Sequence, residues 1–441
     1  SSELMGVLSG FKLDPERYVK LLTKLVGEAE YLQNNPAQGL YPKEELVADH
    51  VVEALAPYTT ENGGPLSVEK VGFTDGRCNM IIKYAGTEPG ASIAFVGSHM
   101  DVVPANPENW ERDPFKLTVE GDKLYGRGTT DCLSHVALLT ELLVQLGSTK
   151  PELRRTVTVV FICNEENGVV EGIGVDKLME TGKINHVKTG PVFWIDCADS
   201  QPCLGTAGSL TWFLKATGKL FHSGLPHKGV NSLELANTAM AEIQNRFYRD
   251  FPGTDKEAAY KFISPSTMKP TQVKCAVGSL NQLPPWTEIS GDVRLTPFYE
   301  VEDLKAAING YVADLNADLG QLPTFGPCSK YEIEGAKGSL EMTWGAGYME
   351  GIACSLTSEG YFALLASTEE VLGEVKPYSI GGSLPLVRNM QRGGFDVQMT
   401  GFGKMSVYHA DNEYCLLSDM SNGFDILVGL VNRLNHGLDS K

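Results

Sequence analysis

The order of apolar segments predicts an α/β protein: a mostly parallel sheet between helices, interrupted by an inserted α+β domain. Three observations carry this expectation. Short apolar runs alternate with helical patterns through residues 93–195, the rhythm changes after Gly208, and the α/β pattern returns near Gly360. A chain of 441 residues also exceeds one ordinary core of roughly 150 residues. The expected division is a discontinuous domain of residues 1–208 and 351–441, with residues 209–350 inserted as a lid and dimerisation domain.

Residues 18–55 read as helical, with Leu21, Leu22, Leu25 and Val26 on one face. Residues 93–96 form a short buried strand ending at Gly97-Ser98-His99, and Val136, Leu139, Leu143 and Leu146 recur at helical spacing. Residues 156–163 (TVTVVFIC) are dense in β-branched side chains without alternation, as in a strand covered on both faces; residues 192–195 form another. Strand, helix, strand in this order gives βαβ units. In the insert, residues 210–217, 269–277, 288–295 and 331–335 read as strands. Residues 231–247 and 301–319 are amphipathic helices, a β-α-β-β-α-β order that suits a small sheet with both helices on one face. A helix over 361–372, a Gly-rich loop at Ile380-Gly381-Gly382-Ser383 and a last helix over 418–434 complete the chain.

The net charge of −18, without a basic stripe, argues against nucleic acid and anionic membranes and favours positive or zwitterionic small molecules. The nine cysteines are scattered, odd in number and lack C-x-x-C, so reduced thiols are expected. No apolar stretch is long enough to span a bilayer, and Ser1-Ser2-Glu3-Leu4-Met5 carries no leader pattern. Cytoplasm is the expected location, with a plastid left open.

Five segments carry chemistry. His99 ends a strand and Asp101 follows two residues later, able to bond the other ring nitrogen of a metal-bound histidine. In Gly126-Arg127-Gly128-Thr129-Thr130-Asp131 the aspartate is either a ligand or a helix N-cap. Glu165 and Glu166 follow the most apolar strand; two adjacent carboxylates there are costly unless a cation satisfies one and leaves the other for proton transfer, the alternative being a solvated loop. Asp196 follows residues 192–195, with Asp199 a close rival, and His409 follows a Gly-rich approach. Singly each is ordinary. Together, His99, Asp131, Glu165, Glu166 and Asp196 gather at the carboxyl edge of an open sheet, where ligands bind, and the set suits a pair of zinc ions.

These blocks, in this order, resemble the zinc metallopeptidase family that contains acetylornithine deacetylase, succinyl-diaminopimelate desuccinylase, carboxypeptidase G, aminoacylase and carnosinase-type dipeptidases. The resemblance spans about residues 18–434. Asn109-Trp110-Glu111-Arg112-Asp113-Pro114-Phe115, the GRGTTD block and Gly218-Lys219-Leu220-Phe221-His222-Ser223-Gly224 look closest to its plant-type acetylornithine deacetylase branch. The resemblance implies His99 and Asp196 on one zinc, Glu166 and His409 on the other, and Asp131 bridging, with Co²⁺ able to substitute. It implies Asp101 orienting His99, Glu165 as general base and then acid, and a non-proline cis peptide at Asp131-Cys132. It further implies His222 as an oxyanion stabiliser reaching a partner subunit, Asn281 and Arg294 as substrate or oxyanion contacts, and Gly381 and Gly382 in a substrate loop.

The implied reaction is removal of the acetyl group from N2-acetyl-L-ornithine, a step of arginine biosynthesis, by a homodimer joined through the insert. Alternatives are another N-acyl-amino-acid hydrolase, a dipeptidase with the same centre, or a non-catalytic binding protein on this scaffold. Two departures, Cys132-Leu133-Ser134 after the bridging aspartate and Ser383-Leu384 after the Gly-rich loop, bear on the pocket rather than on the ligands. His50, His135, His186, His227 and His436 are read as surface or helix residues.

Overall fold

Six strands form the body of a twisted sheet in a computed structural model that describes residues 6–436. Their spatial order is Leu66–Thr74, Arg77–Tyr84, Thr156–Ile162, Ser92–His99, Pro191–Ile195 and Asp396–Thr400; the short strands Cys203–Thr206 and Tyr378–Ile380 extend it. The last four of those six run parallel, while the first hairpin and Cys203–Thr206 pair antiparallel. The centre is therefore parallel and the edges antiparallel. Ser92–His99 and Pro191–Ile195 are buried at every residue, which is why neither alternates in sequence. Helices Pro15–Val26, Glu45–Leu55, Leu133–Thr149 and Leu417–Asn435 share one core with the sheet, packing Leu22, Leu139, Leu143 and Leu427 with Phe95 and Phe161.

The chain divides into two compact units. One runs to Leu204 and includes Cys354–Tyr378 and the stretch from Pro385; the other is Gly205–Ala353 with Ser379–Leu384. The breaks fall a few residues from the expected boundaries, and Gly381 and Gly382 belong to the second unit. That unit carries an antiparallel sheet in the order Thr267–Cys275, Trp286–Leu295, Gly208–Thr217, Ser339–Trp344. Alternate residues Leu210, Trp212, Leu214 and Ala216 meet Leu235, Ile243, Leu304 and Ile308 of helices Ser232–Asp250 and Val301–Ala317 in a separate core.

Two expectations need correction. The helical reading of residues 18–55 fails between Gly27 and Glu44, where tight turns and an Asn35–Leu40 bridge separate two helices. Residues 331–335 do not supply the insert's fourth strand: Glu332–Ile333 pairs only with Ala336–Lys337, and Ser339–Trp344 takes that place. The hairpin Leu66–Thr74/Arg77–Tyr84 and the strand Asp396–Thr400 had no counterpart in the reading of the sequence. His135 is a helix residue, as read, and it is fully buried. Ser1–Met5, on which the leader reading rests, lie outside the described residues. No described helix is long and apolar enough to cross a membrane.

Candidate metal centre

The carboxyl edge of the parallel strands collects the acidic residues because each loop turns there. Gly97, at φ +90° within Ser92–His99, lies where a Cβ would stand 2.3 Å from the Trp194 ring, so only glycine fits. The strand's pairing shifts register between Val96 and His99, its last residue. Asp196 follows Ile195, and Asn164, at φ 59°, turns the chain two residues after Ile162. His409, itself at φ 54°, is brought back by the Tyr408 hydroxyl, which donates to the Asp196 backbone carbonyl at 2.8 Å.

Asp131 stands in the middle. Its Oδ1 lies 2.8 Å from His99 Nε2 and its Oδ2 3.0 Å from His409 Nε2. Around His99 Nε2 are also Asp196 Oδ1 at 3.3 Å and Glu165 Oε2 at 3.4 Å; Glu166 Oε2 lies 3.1 Å from His409 Nε2. Asp131 does not cap the following helix, whose N-cap is Cys132, and the Asp131-Cys132 peptide is cis. Asp199 is exposed at φ 63°, accepts the Met405 N–H and joins no cluster, so of the two rivals only Asp196 reaches a histidine, His99.

Asp101 acts in two directions. Its backbone carbonyl accepts from His99 Nδ1 at 2.8 Å, while its carboxylate accepts the N–H groups of Glu165 (3.1 Å) and Glu166 (3.0 Å) and the Asn34 amide (2.8 Å). Donation from Nδ1 leaves the Nε2 lone pair of His99 facing carboxylate oxygens, an arrangement stable only with a positive species among them. Asp196 Oδ1 and Glu166 Oε1 are moreover buried without a hydrogen-bond partner. Among the described residues, three mutually close groups could each hold an ion: His99/Cys132/Asp196, His99/Glu165/Glu166 and Asp131/Glu166/His409. An unpartnered oxygen on each side of Asp131, imidazole nitrogens and carboxylate oxygens as the main donors, and a carboxylate shared by two histidines fit a dinuclear cation site.

The electrostatics point the same way. Burial lowers the basicity of His99, but Asp196 and Glu165 outweigh it and hold the imidazole well above its ordinary range. Hydrogen bonds to Asp131 and Glu166 lift His409 to about 11. Burial would raise Asp131, yet hydrogen bonds from His409 and His99 hold it well below the usual carboxylate range. Burial pushes Asp196 to about 6 and holds Glu165 and Glu166 well above the usual carboxylate range, each with carboxylate neighbours. In the absence of a cation the two imidazolium groups carry the balancing charge.

In the second unit His222 is exposed, its Nδ1 accepting the Gly224 N–H at 3.0 Å, and it bridges Gln282 next to Asn281, so these two residues share one exposed loop pair. Arg294 pairs with Asp292 at 2.9 Å on the strand Trp286–Leu295. Gly381 and Gly382 are exposed, with open space at the Cβ position of Gly381.

Residues missed in the sequence surround the centre. Glu413 is buried and accepts N–H groups of Gly128, Thr130 and Asp131 and the Arg127 guanidinium. Arg127 also donates to the Ala410 carbonyl beside His409. His135 Nε2 accepts the Phe402 N–H at 2.9 Å and so holds the approach to His409. The one signal for these was position: Arg127 lies inside a flagged block, and Glu413 lies four residues after His409.

Residues 95–433 match the model of peptidase family M20/M25/M40. The chain is similar to acetylornithine deacetylase of Arabidopsis thaliana, 52% identical over 96% of both chains. It is 51% identical to acetylornithine deacetylase of Dictyostelium discoideum, over 97% of this chain and 98% of that one. Among solved structures, an M20 family metallo-carboxypeptidase from Sulfolobus solfataricus superposes with a TM-score of 0.66 at 17% identity, covering 95% of this chain and 99% of that one. A dinuclear metal-binding M20 peptidase from Bacillus subtilis gives 0.61 at 16% identity, covering 96% and 99%. At such identities the structural likeness speaks for the fold alone.

Proposed function

Because the chain belongs to peptidase family M20/M25/M40, we propose that it is a metal-dependent amidohydrolase that removes the acetyl group from N2-acetyl-L-ornithine, giving L-ornithine and acetate. The observation that carries this reading is the shared carboxylate of Asp131, facing a histidine with each oxygen, in a chain 52% identical to a plant acetylornithine deacetylase. His99 and Asp196 would hold one ion and Glu166 and His409 the other, with Asp131 between; a nitrogen and oxygen donor set of this kind suits Zn²⁺, and Co²⁺ in its place. When bound, such ions supply Lewis acidity, lowering the pKa of water toward ~7 and polarising the acyl carbonyl.

The protein's own residues do the rest. Glu165, buried at the centre and left free of a ligand role, takes the proton of the attacking water and returns it to the departing amine. Asp101 holds the His99 ring and the Glu165-Glu166 backbone in place. His222 stabilises the developing oxyanion, Asn281 and Arg294 meet the substrate's carboxylate or the oxyanion, and the Gly381-Gly382 loop lies against the substrate. The same reading includes a homodimer joined through the second unit. Supporting it, Thr267–Cys275 is an edge strand of its sheet, with Val273, Val277 and Leu280 exposed at 62%, 104% and 104%.

The test is a panel of N-acetyl amino acids and dipeptides assayed with protein loaded with Zn²⁺ or Co²⁺. A strong preference in kcat/KM for N2-acetyl-L-ornithine supports the assignment. Equal or better turnover of other N-acyl amino acids or dipeptides would reassign the substrate within the family, and no hydrolysis by metal-loaded protein would overturn the enzymatic reading.

A further inference from the structure

Past the end of the strand Thr156–Ile162, four successive backbone N–H groups are each taken by a side-chain oxygen from elsewhere in the fold. Cys163 donates to Asn79 Oδ1 at 3.0 Å, Asn164 to Glu44 Oε1 at 3.1 Å, Glu165 to Asp101 Oδ1 at 3.1 Å and Glu166 to Asp101 Oδ2 at 3.0 Å. Glu165 and Glu166, two of the centre's carboxylates, therefore hang from a rail of side chains. Asn164 is its joint: φ 59° is a conformation asparagine tolerates far better than most residues. Its side chain makes three bonds, Oδ1 accepting from Arg77 Nη2 (3.0 Å) and Asn34 Nδ2 (3.1 Å), and Nδ2 donating to the Val170 carbonyl (2.6 Å).

The outer end is an ion pair. Glu44, fully buried at the start of the helix Glu45–Leu55, accepts Arg77 Nε at 2.6 Å and Nη2 at 2.8 Å. Arg77 opens the strand Arg77–Tyr84 and is 6% exposed. A buried pair is weak evidence for stability, because desolvation offsets its attraction. Geometry is the better account: the planar fork of Arg77 fixes Glu44, whose Oε1 also takes the Asn164 N–H, while the same guanidinium holds the Asn164 side chain. Asn34 ties this assembly to Asp101 through one amide nitrogen.

We propose that Glu44, Arg77 and Asn164 are positioning residues for the hydrolytic step, holding the Glu165 carboxylate in its productive orientation through the backbone rather than by touching substrate. This rests on the reading of Glu165 as the proton carrier. Displacing a reacting group by about 1 Å costs on the order of a hundredfold in rate.

The test is steady-state kinetics on N2-acetyl-L-ornithine with metal-loaded Glu44→Gln, Arg77→Lys, Asn164→Gly and Glu44→Gln/Asn164→Gly, with metal content and thermal midpoint measured on each. Asn164→Gly keeps access to positive φ and deletes only the side-chain bonds, so it remains informative even where the buried-charge variants fold poorly. Expected are kcat losses of about tenfold to a hundredfold with KM within about twofold of wild type and metal stoichiometry retained. Arg77→Lys should fail to restore kcat, lacking the fork, and the double variant should lose no more than the worse single, because both disturb the assembly centred on the Arg77 guanidinium. Folded, metal-loaded Asn164→Gly and Glu44→Gln with kcat within about twofold of wild type would overturn the proposal, as would losses explained wholly by missing metal. If Glu165→Ala itself keeps wild-type turnover, the failure lies in the reading of Glu165 and not in the rail.

Discussion

Glu413 accepts the backbone N–H of Asp131 at 3.0 Å, so the carboxylate shared by the two histidines is held from behind by another that touches neither. Glu413 also accepts Thr130 N at 2.7 Å, Gly128 N at 3.1 Å and Arg127 Nη1 at 2.9 Å, and both members of the ion pair are almost fully buried. Replacing Glu413 by Gln strands the Arg127 charge in a dry interior. Breaking such a pair costs about 3–5 kcal/mol. Urea unfolding of metal-free Glu413→Gln should register a loss of that order, and a loss below about 1 kcal/mol would mean that Arg127 is compensated by its backbone partners.

The choice between Asp196 and Asp199 separates cleanly by metal analysis. Asp196 is buried with an oxygen lacking a hydrogen-bond partner; Asp199 is exposed and already bonded to Met405 N. Asp196→Ala should retain at most one ion per chain by elemental analysis after dialysis, whereas Asp199→Ala should match wild type. The reverse pattern would move the ligand three residues along the chain.

Much of this centre was legible in the sequence because parallel strands carry local signatures at their ends. Apolar runs ending in His99, Glu165 and Asp196 marked one sheet edge before any coordinate was known. What stayed illegible is long-range. Glu44, Arg77 and Asn34 sit in segments with ordinary surface-like composition, and only the fold brings them within reach of Asp101 and Asn164. Residues 27–44 read as helix only by extension from the Leu21–Val26 face; Gly27, Pro36, Gly39 and Pro42 interrupt them, and their backbone bonds go to turns and to Val102. The strand Asp396–Thr400 was hidden because Asp and Gln interrupt its apolar run; Gln398 is nevertheless buried, its amide donating to Ser355 O.

Glu165 is the residue whose loss should separate chemistry from metal binding. It lies 3.4 Å from His99 Nε2, but the remaining donors suffice for two ions without it. Glu165→Ala is expected to lose about 10²–10⁴-fold in kcat while keeping wild-type metal content. Near-wild-type turnover would remove Glu165 from the proton path, and loss of metal would make it a ligand.

His135 makes the protein's stability depend on pH in a definite direction. Burial holds this imidazole neutral, its pKa lowered to about 3, and Nε2 must keep its lone pair to accept the Phe402 N–H. In the unfolded chain a histidine titrates near ~6.5. Between those values the unfolded chain binds a proton that the folded chain refuses, so falling pH favours unfolding by up to about 1.4 kcal/mol per pH unit; above ~6.5 the group has no effect. His135→Gln offers an amide oxygen to Phe402 and no titratable group. Urea midpoints of both metal-free proteins, measured from about pH 7 to 4, should fall more steeply for the wild type than for the variant, whose curve is shallower by up to one proton. The other titrating groups of the centre are common to both proteins and cancel in the difference. Parallel curves would mean that His135 is protonated in the folded protein, which its bond from Phe402 N does not permit.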